Sequence, residues 1–269
     1  MEPVIPVPVI PEPVIPEPVT LLPVHPAPVC AVPLSVIMPV YNEAAGISDV
    51  IADLRTHVLD VVPGSELIVI DDCSKDGSAG VLAAEAASDP RIRVVTNDTN
   101  SGHGPSVRRG LDESRGEWIF HLDSDGQVDV SEFKLLWASR ERADLVLGMR
   151  LDRHDPWHRL VLTRFTRVVV SLMARRRVPD GNVPFKLVRR SLFTHLAPLM
   201  PASAFAPSLL LVIGAARSQA RLVELETTHL PRTHGASTLN VRRLSVAVVR
   251  ATRETVAFGR QSFTPFPRP

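Results

Sequence analysis

The stretch LSVIMPVYNEAAG, residues 34–46, decides among the α/β architectures open to this chain. Its first half, Leu34-Ser35-Val36-Ile37-Met38, reads as a buried strand. A dinucleotide-binding fold would follow that strand with G-x-G-x-x-G, which lets backbone approach a pyrophosphate. Here the position reads Pro39-Val40-Tyr41-Asn42-Glu43-Ala44-Ala45-Gly46, and no G-x-x-x-x-G-K-[ST] occurs in the chain. Carboxylates stand where such folds place glycines.

Outward from that strand, helices and strands alternate. Helical patterns cover 43–59, 78–87, 107–114 and 131–142; apolar strand patterns cover 67–70, 92–95, 118–122 and 145–147. Such alternation means right-handed βαβ units and an α/β fold with a mostly parallel, doubly wound sheet. Ligands of these sheets collect beyond the carboxyl ends of the strands. Those ends read Tyr41-Asn42-Glu43, Asp71-Asp72, Asn97 and Asn100, Asp123-Ser124-Asp125, and Arg150. Loops are often polar, so one such end means little; together they point to a site.

The 269 residues suffice for one sizeable α/β domain with additions, and 45% hydrophobic content suits a globular chain. The longest apolar stretch, 209–216, contains Gly214 and is far short of the ~20 residues a bilayer requires. Two cysteines, Cys30 and Cys73, make no disulfide framework and point to a reducing cytoplasm. Residues 1–33 are low-complexity, with VIPVP, VIPEP and VIPEP in succession from Val4 to Pro18. Proline at this density removes backbone donors and fixes φ, so a disordered, polyproline-like tail without a core is expected. A secretory signal would need a basic start and an unbroken apolar helix.

The formal net charge of +1 is unevenly spread. Residues 148–190 hold ten Arg and Lys186 against Asp152, Asp155 and Asp180, a local +8. Such a block suggests an anionic partner: nucleotide phosphates, a phospholipid surface or nucleic acid. It equally fits a solvated arginine-rich face. Few aromatics interleave it for base stacking, which argues against nucleic acid.

HLDSDGQVD, residues 121–129, gives the carboxylates a purpose. Asp123 and Asp125 lie two apart on a turn, so both can face one hard cation, Mg²⁺ or Mn²⁺, held partly by protein and partly by a diphosphate. Without a cation, carboxylates would repel a nucleotide's phosphates. Gln127 continues the alternation with a neutral oxygen. Asp129, ahead of Ser131 and Glu132, fits the capping region of the next helix. A lone D-x-D is also a common solvated turn.

With these pieces in order, residues 34–150 resemble the catalytic domain of the inverting, A-type-fold glycosyltransferases of family 2. The segments that carry the resemblance are SVIMPVYNE (35–43), IVIDDCSKDGS (68–78), NSGHGPSVRRG (100–110), HLDSDGQ (121–127) and LVLGMR (145–150). Further on, DGNVPFKLVRR (180–190) and HLPRTHGAS (229–237) resemble the dolichyl- and polyprenyl-phosphate sugar synthase branch. The resemblance implies a nucleotide-diphospho-sugar transferase fold, with a catalytic domain over 34–240 and a basic amphipathic helix and tail over 241–269. It implies that Pro39, Tyr41 and Glu43 line a ribose and base pocket and that Asp71 or Asp72 accepts from a base N–H. An acid at Glu43 also suits a helix start on electrostatic grounds alone. By the same resemblance Asp123, Asp125 and Gln127 hold Mg²⁺ or Mn²⁺, with Asp123 also meeting the donor. Asp125, Arg150 and Arg232 are then the catalytic set, the arginines meeting the diphosphate.

Three departures stand out. His103 occupies the lysine position of Asn-x-Gly-Lys-Gly, Thr238 the lysine position of Gly-x-Ser-Lys, and Cys73 a position where glycine is frequent. His229 and His234 are further imidazoles near the C-terminal motif.

The acceptor is approached through what is missing. A sugar hydroxyl needs a general base, and in sugar-acceptor members of the resembled family this is commonly an aspartate in a Glu-Asp pair after the fifth strand. Between Arg150 and Leu222 the acids are Asp152, Asp155 and Asp180, with no such pair. A phosphate acceptor is already anionic and needs only positive charge, which favours polyprenyl phosphate. Two stripes agree: Trp157, Val161, Phe165, Val168 and Leu172 among arginines, and Leu244, Ala247, Val248, Ala251 and Phe258, interrupted by Thr255. A basic amphipathic helix can lie in a membrane interface; it can equally pack on the core. The expected activity is metal-dependent, inverting transfer of a hexose, mannose being the first candidate, from a nucleoside diphosphate sugar to polyprenyl phosphate at the cytoplasmic membrane face. A soluble transferase acting on a hydroxyl, with Asp180 as base, and a non-catalytic nucleotide-binding scaffold are the alternatives.

Overall fold

The computed structural model describes residues 32–150, 157–178, 181–228, 230 and 241–267. Among them, seven strands form one sheet: β1 (Leu34–Val40), β2 (Glu66–Asp71), β3 (Ile92–Thr96), β4 (Trp118–His121), β5 (Leu145–Arg150), β6 (Lys186–Arg189) and β7 (Leu222–Thr227). Their order is β3-β2-β1-β4-β6-β5-β7. All neighbours run parallel except β6, which is antiparallel to both β4 and β5. The expected mostly parallel sheet is present. The sequence reading did not anticipate β6 and β7: KLVR is short with a charge at each end, and LVELET alternates acid with aliphatic.

Alternation along the strands loads both faces. In β1, Leu34, Val36, Met38 and Val40 enter one core while Ile37 enters the other. The first core is closed by α1 (Ile47–Leu54), α2 (Ser78–Ser88) and α4 (Phe133–Ser139). The second is closed by α3 (His103–Glu113), α5 (Trp157–Ala174), α6 (Arg190–Leu196), α7 (Pro207–Arg217) and α8 (Val241–Gly259). Each fully buried Leu or Phe in these layers contributes roughly 1.5–3 kcal/mol. Within residues 241–269, read from the sequence as a C-terminal helix and tail, Phe258 and Phe266 are buried in the core that α5 and α7 share.

Local chemistry moved several boundaries. The helix read from 43 begins at Ile47, because Asn42 sits at φ 56° and the Glu43 carbonyl accepts from Gly46 and Ile47 N–H in a turn. The 131–142 segment is α-helical only over Phe133–Ser139, with 3₁₀ turns on either side. Asp129 does cap it, accepting from the Ser131 N–H at 2.9 Å.

The two stripes end differently. On α5, Phe165, Val168 and Leu172 are exposed beside Arg164 and Arg167. On α8, Thr255 and Phe258 are buried, while Val246 and Val249 are exposed beside Arg250 and Arg253. No helix among the described residues is long and apolar enough to cross a membrane. The tail through Ala31, Asp152, Asp155, Asp180, His229, Arg232, His234 and the 235–238 motif lie outside the described residues.

Candidate active site

Strand β1 has β2 on one side and β4 on the other, so the connections leaving their carboxyl ends diverge and open a crevice. A cavity of about 280 Å³ lies there. Pro39, Tyr41 and Glu43 line it after β1, Asp72 after β2, Asn100, Gly102 and His103 at the start of α3, and Asp123, Ser124 and Asp125 after β4. Segments that are 80 residues apart thus share one wall.

Not every candidate residue reaches it. Asp71 is buried, its Oδ1 accepting from the Ser74 N–H at 3.1 Å, and is not part of the lining. Gln127 is also outside the lining; its backbone N–H donates to Asp125 Oδ1 at 3.2 Å and its carbonyl accepts from Leu230 N–H at 2.9 Å. Arg150 ends β5.

Asp72 organises the wall that it lines. Its Oδ1 accepts from Asn97 Nδ2 at 2.7 Å and Ser101 N–H at 2.8 Å, and its Oδ2 from Gly102 N–H at 2.7 Å. The anchored loop starts α3 at His103 rather than at 107, with Gly102 at φ 91°. A Cβ on Gly104 would overlap the Phe205 carbonyl oxygen, so only glycine lets α3 approach that backbone. The Phe205 and Ala206 N–H groups each donate to the Glu254 carboxylate of α8 at 2.8 Å.

The loops after β1 and β2 are tied together. Ala44 N–H donates to Asp76 Oδ2 at 3.0 Å, Glu43 N–H to Ser78 Oγ at 3.0 Å, and Lys75 N–H to Asn42 Oδ1 at 2.8 Å. Burial opposes ionisation of Asp76, but hydrogen bonds from Ser78 and Ala44 hold its pKa below the ordinary value. Cys73 in this loop sits at φ 61°, the left-handed region that favours glycine. The supports Asp76 and Ser78 stood within a quoted motif without an assigned role. Glu254 gave no sequence signal, since its partners lie 48 and 49 residues away.

Two histidines converge on Asp123. His103 Nε2 lies 2.9 Å from Asp123 Oδ1, and His121 Nε2 lies 3.5 Å from the same oxygen. His121 is buried on β4, opposite the fully buried Lys186 of β6. Burial, with Lys186 adding to it, pulls the His121 pKa down to about 4 despite Asp123. For Asp123 burial works upward, yet the charge and hydrogen bond of His103 hold its pKa well below the carboxylate range. The crowded wall works to lower His103, but Asp123 prevails and raises it. The donor atoms of His103, His121 and Asp123 lie within 4.8 Å of one another, with Asp125 in the same cavity. Carboxylate and imidazole donors this close fit a divalent cation.

Solved structures share this fold. Glucosyl-3-phosphoglycerate synthase from Mycobacterium tuberculosis, in complex with Mn²⁺, UDP and glucosyl-3-phosphoglycerate, superposes with a TM-score of 0.65 at 20% identity, covering 84% of this chain and 79% of that one. The mannosyltransferase PcManGT from Pyrobaculum calidifontis, in complex with GDP-Man and Mn²⁺, gives 0.62 at 16% identity, covering 86% and 65%. At such identities the likeness is one of fold. Residues 35–196 match glycosyl transferase family 2, and the chain belongs to that family. Among curated relatives, the undecaprenyl-phosphate 4-deoxy-4-formamido-L-arabinose transferase of Pseudomonas aeruginosa (strain LESB58) is 28% identical over 213 residues, 78% of this chain and 61% of that protein. Its namesake in Aeromonas hydrophila subsp. hydrophila is also 28% identical over 213 residues, spanning 78% of this chain and 64% of that protein. The chain therefore spans less than two thirds of the length of these relatives.

Proposed function

We propose that the chain transfers a sugar from a nucleoside diphosphate donor to a polyprenyl phosphate, with inversion, at the cytoplasmic face of a membrane. The observation that carries this is the single cavity that Pro39, Tyr41, Glu43 and Asp72 line together with Asp123 and Asp125. Support for the lipid acceptor comes from the curated relatives, whose names specify undecaprenyl phosphate. The exposed Phe165, Val168 and Leu172, with no acid on α5, support docking on an anionic membrane surface.

In this proposal Tyr41 and Glu43 hold ribose and base, and Asp72 keeps the α3 loop closed against them. A Mn²⁺ or Mg²⁺ held here would supply Lewis-acid stabilisation of the leaving diphosphate. Asp123 and Asp125 hold that charge in place, and Arg150 and Arg232 receive the phosphates. A phosphate oxygen of the acceptor forms the new bond to the anomeric carbon. The bond to the diphosphate breaks on the opposite face, and its electron pair leaves with the diphosphate. No proton has to be removed, so no catalytic base is required. Mannose is the hexose to try first; the relatives add 4-deoxy-4-formamido-L-arabinose as a second sugar class.

The test is transfer from labelled GDP-mannose, UDP-glucose, UDP-N-acetylglucosamine and a nucleoside diphosphate 4-deoxy-4-formamido-L-arabinose into polyprenyl phosphate, with Mn²⁺ or Mg²⁺ and with EDTA. Labelled lipid is expected, abolished by EDTA and reduced at least about a hundredfold in Asp125→Ala. Label in a soluble acceptor instead would replace the lipid by a hydroxyl substrate. No transfer from any donor would leave a nucleotide-binding scaffold.

A further inference from the structure

The histidine pair does something the D-x-D turn does not require. His121 is 2% exposed, and its Nε2 is buried without a hydrogen bond of ordinary geometry, aimed at Asp123 Oδ1 from 3.5 Å. A buried imidazole nitrogen left in that state loses the hydrogen bond it would have had in water. His103 reaches the same oxygen from the opposite loop, held there by the Asp72-anchored turn and by Gly104. Donors about 2.0–2.1 Å from one ion in a tetrahedral arrangement lie about 3.4 Å apart. The separations of 2.9 and 3.5 Å, with all three atoms within 4.8 Å, leave little rearrangement to reach that spacing.

We propose that His103 and His121 are cation ligands together with Asp123, so that the metal site of this chain carries imidazole nitrogen and prefers Mn²⁺, Co²⁺ or Zn²⁺ to Mg²⁺. Mg²⁺ takes oxygen donors in near-ideal octahedral geometry and parts reluctantly with water. Imidazole shifts preference toward the later transition ions. A neutral imidazole offers a nitrogen lone pair to a metal. The Lys186 ammonium on β6 opposes a dication, and the carboxylates of Asp123 and Asp125 offset it. The inference rests on the metal-dependent reading above and departs from it in naming nitrogen ligands that an all-oxygen D-x-D site lacks.

The test uses the full chain, Mn²⁺ alone and pulsed EPR, with no donor present. Wild type is expected to show ¹⁴N couplings from directly bound imidazole. His103→Gln, an exposed change that leaves the core intact, should remove part of that coupling. It should also weaken Mn²⁺ by at least about tenfold while leaving Mg²⁺ binding unchanged. Bound Mn²⁺ without nitrogen coupling in wild type, or an unaltered Mn²⁺ preference in His103→Gln, overturns the assignment. Sugar transfer to lipid that persists in that case keeps the transferase reading. Nitrogen coupling without labelled lipid from any donor keeps the ligands and removes the acceptor.

Discussion

At the amino end of β5, Asp144 is 1% exposed and takes three hydrogen bonds from Arg221 between 2.8 and 3.1 Å, with Arg189 at 3.4 Å. Ahead of β3, Asp89 is held in the same way by Arg91 and Arg55. At the carboxyl end of the same sheet, Asp123 meets two imidazoles and Asp72 meets an amide side chain and two backbone N–H groups. Guanidinium forks saturate carboxylates at the edge where the fold must simply hold. Imidazoles and amides do so at the edge where, on the proposed function, a cation and a donor would enter. Identical side chains therefore hold the fold at one end of the strands and, on that proposal, serve binding at the other.

The contrast is most exposed to failure at Asp144. Replacing it with Ala leaves two arginines facing a buried gap and should cost about 3 kcal/mol in urea unfolding. Mn²⁺ affinity at the opposite end should stay unchanged. A neutral Asp144→Ala would remove the division of labour.

Acid sharpens the same contrast. Hydrogen bonds from Arg91 lower the Asp89 pKa against burial, and those from Arg221 lower Asp144 although burial opposes them more strongly than any single bond. Both folded values lie below the unfolded value of about 3.9. Their contribution is therefore fully present above the unfolded pKa and is lost as pH falls through the folded values. The unfolding free energy should be level above about pH 5 and then fall by about 1.4 kcal/mol per pH unit for each extra proton that the unfolded chain binds. Urea midpoints between pH 6 and 2.5 test this, with a shallower slope expected in Asp144→Asn.

The smallest effect belongs to the binding end. Cys73 at φ 61° carries roughly 1–2 kcal/mol of left-handed strain, partly offset in Cys73→Gly by the greater entropy of unfolded glycine. Thermal unfolding should show a gain of about 0.5–1 kcal/mol. A loss would mean that the thiol contributes contacts worth more than the strain.

The family was legible because its signals are local: PVYNE, IDDCSKDGS and DSDGQ each follow an apolar run, and side-chain period alone identifies the run as a strand. The acidic turn and the missing glycine cradle were equally local. His121 was invisible as a candidate because one histidine at the end of a strand has no pattern. Only the pairing of β4 with β6 brings it to Lys186, and only the return of α3 brings His103 to it and to Asp123. The stripes show the same limit. Both are apolar at helical spacing with arginines alongside, yet α5 turns Phe165, Val168 and Leu172 outward while α8 turns Phe258 into the core.

Sequence by itself determined the sheet class, the order of the nucleotide-side motifs and the position of the acidic turn, because strand period, loop polarity and residue spacing are properties of neighbours. Tertiary structure alone decided that Asp72 anchors the α3 loop, that Glu254 reaches back to Phe205 and Ala206, and that His103 joins His121 at one carboxylate. Those facts depend on contacts across 20 to 49 residues, where the deciding quantity is which surfaces the packed sheet brings within hydrogen-bonding distance.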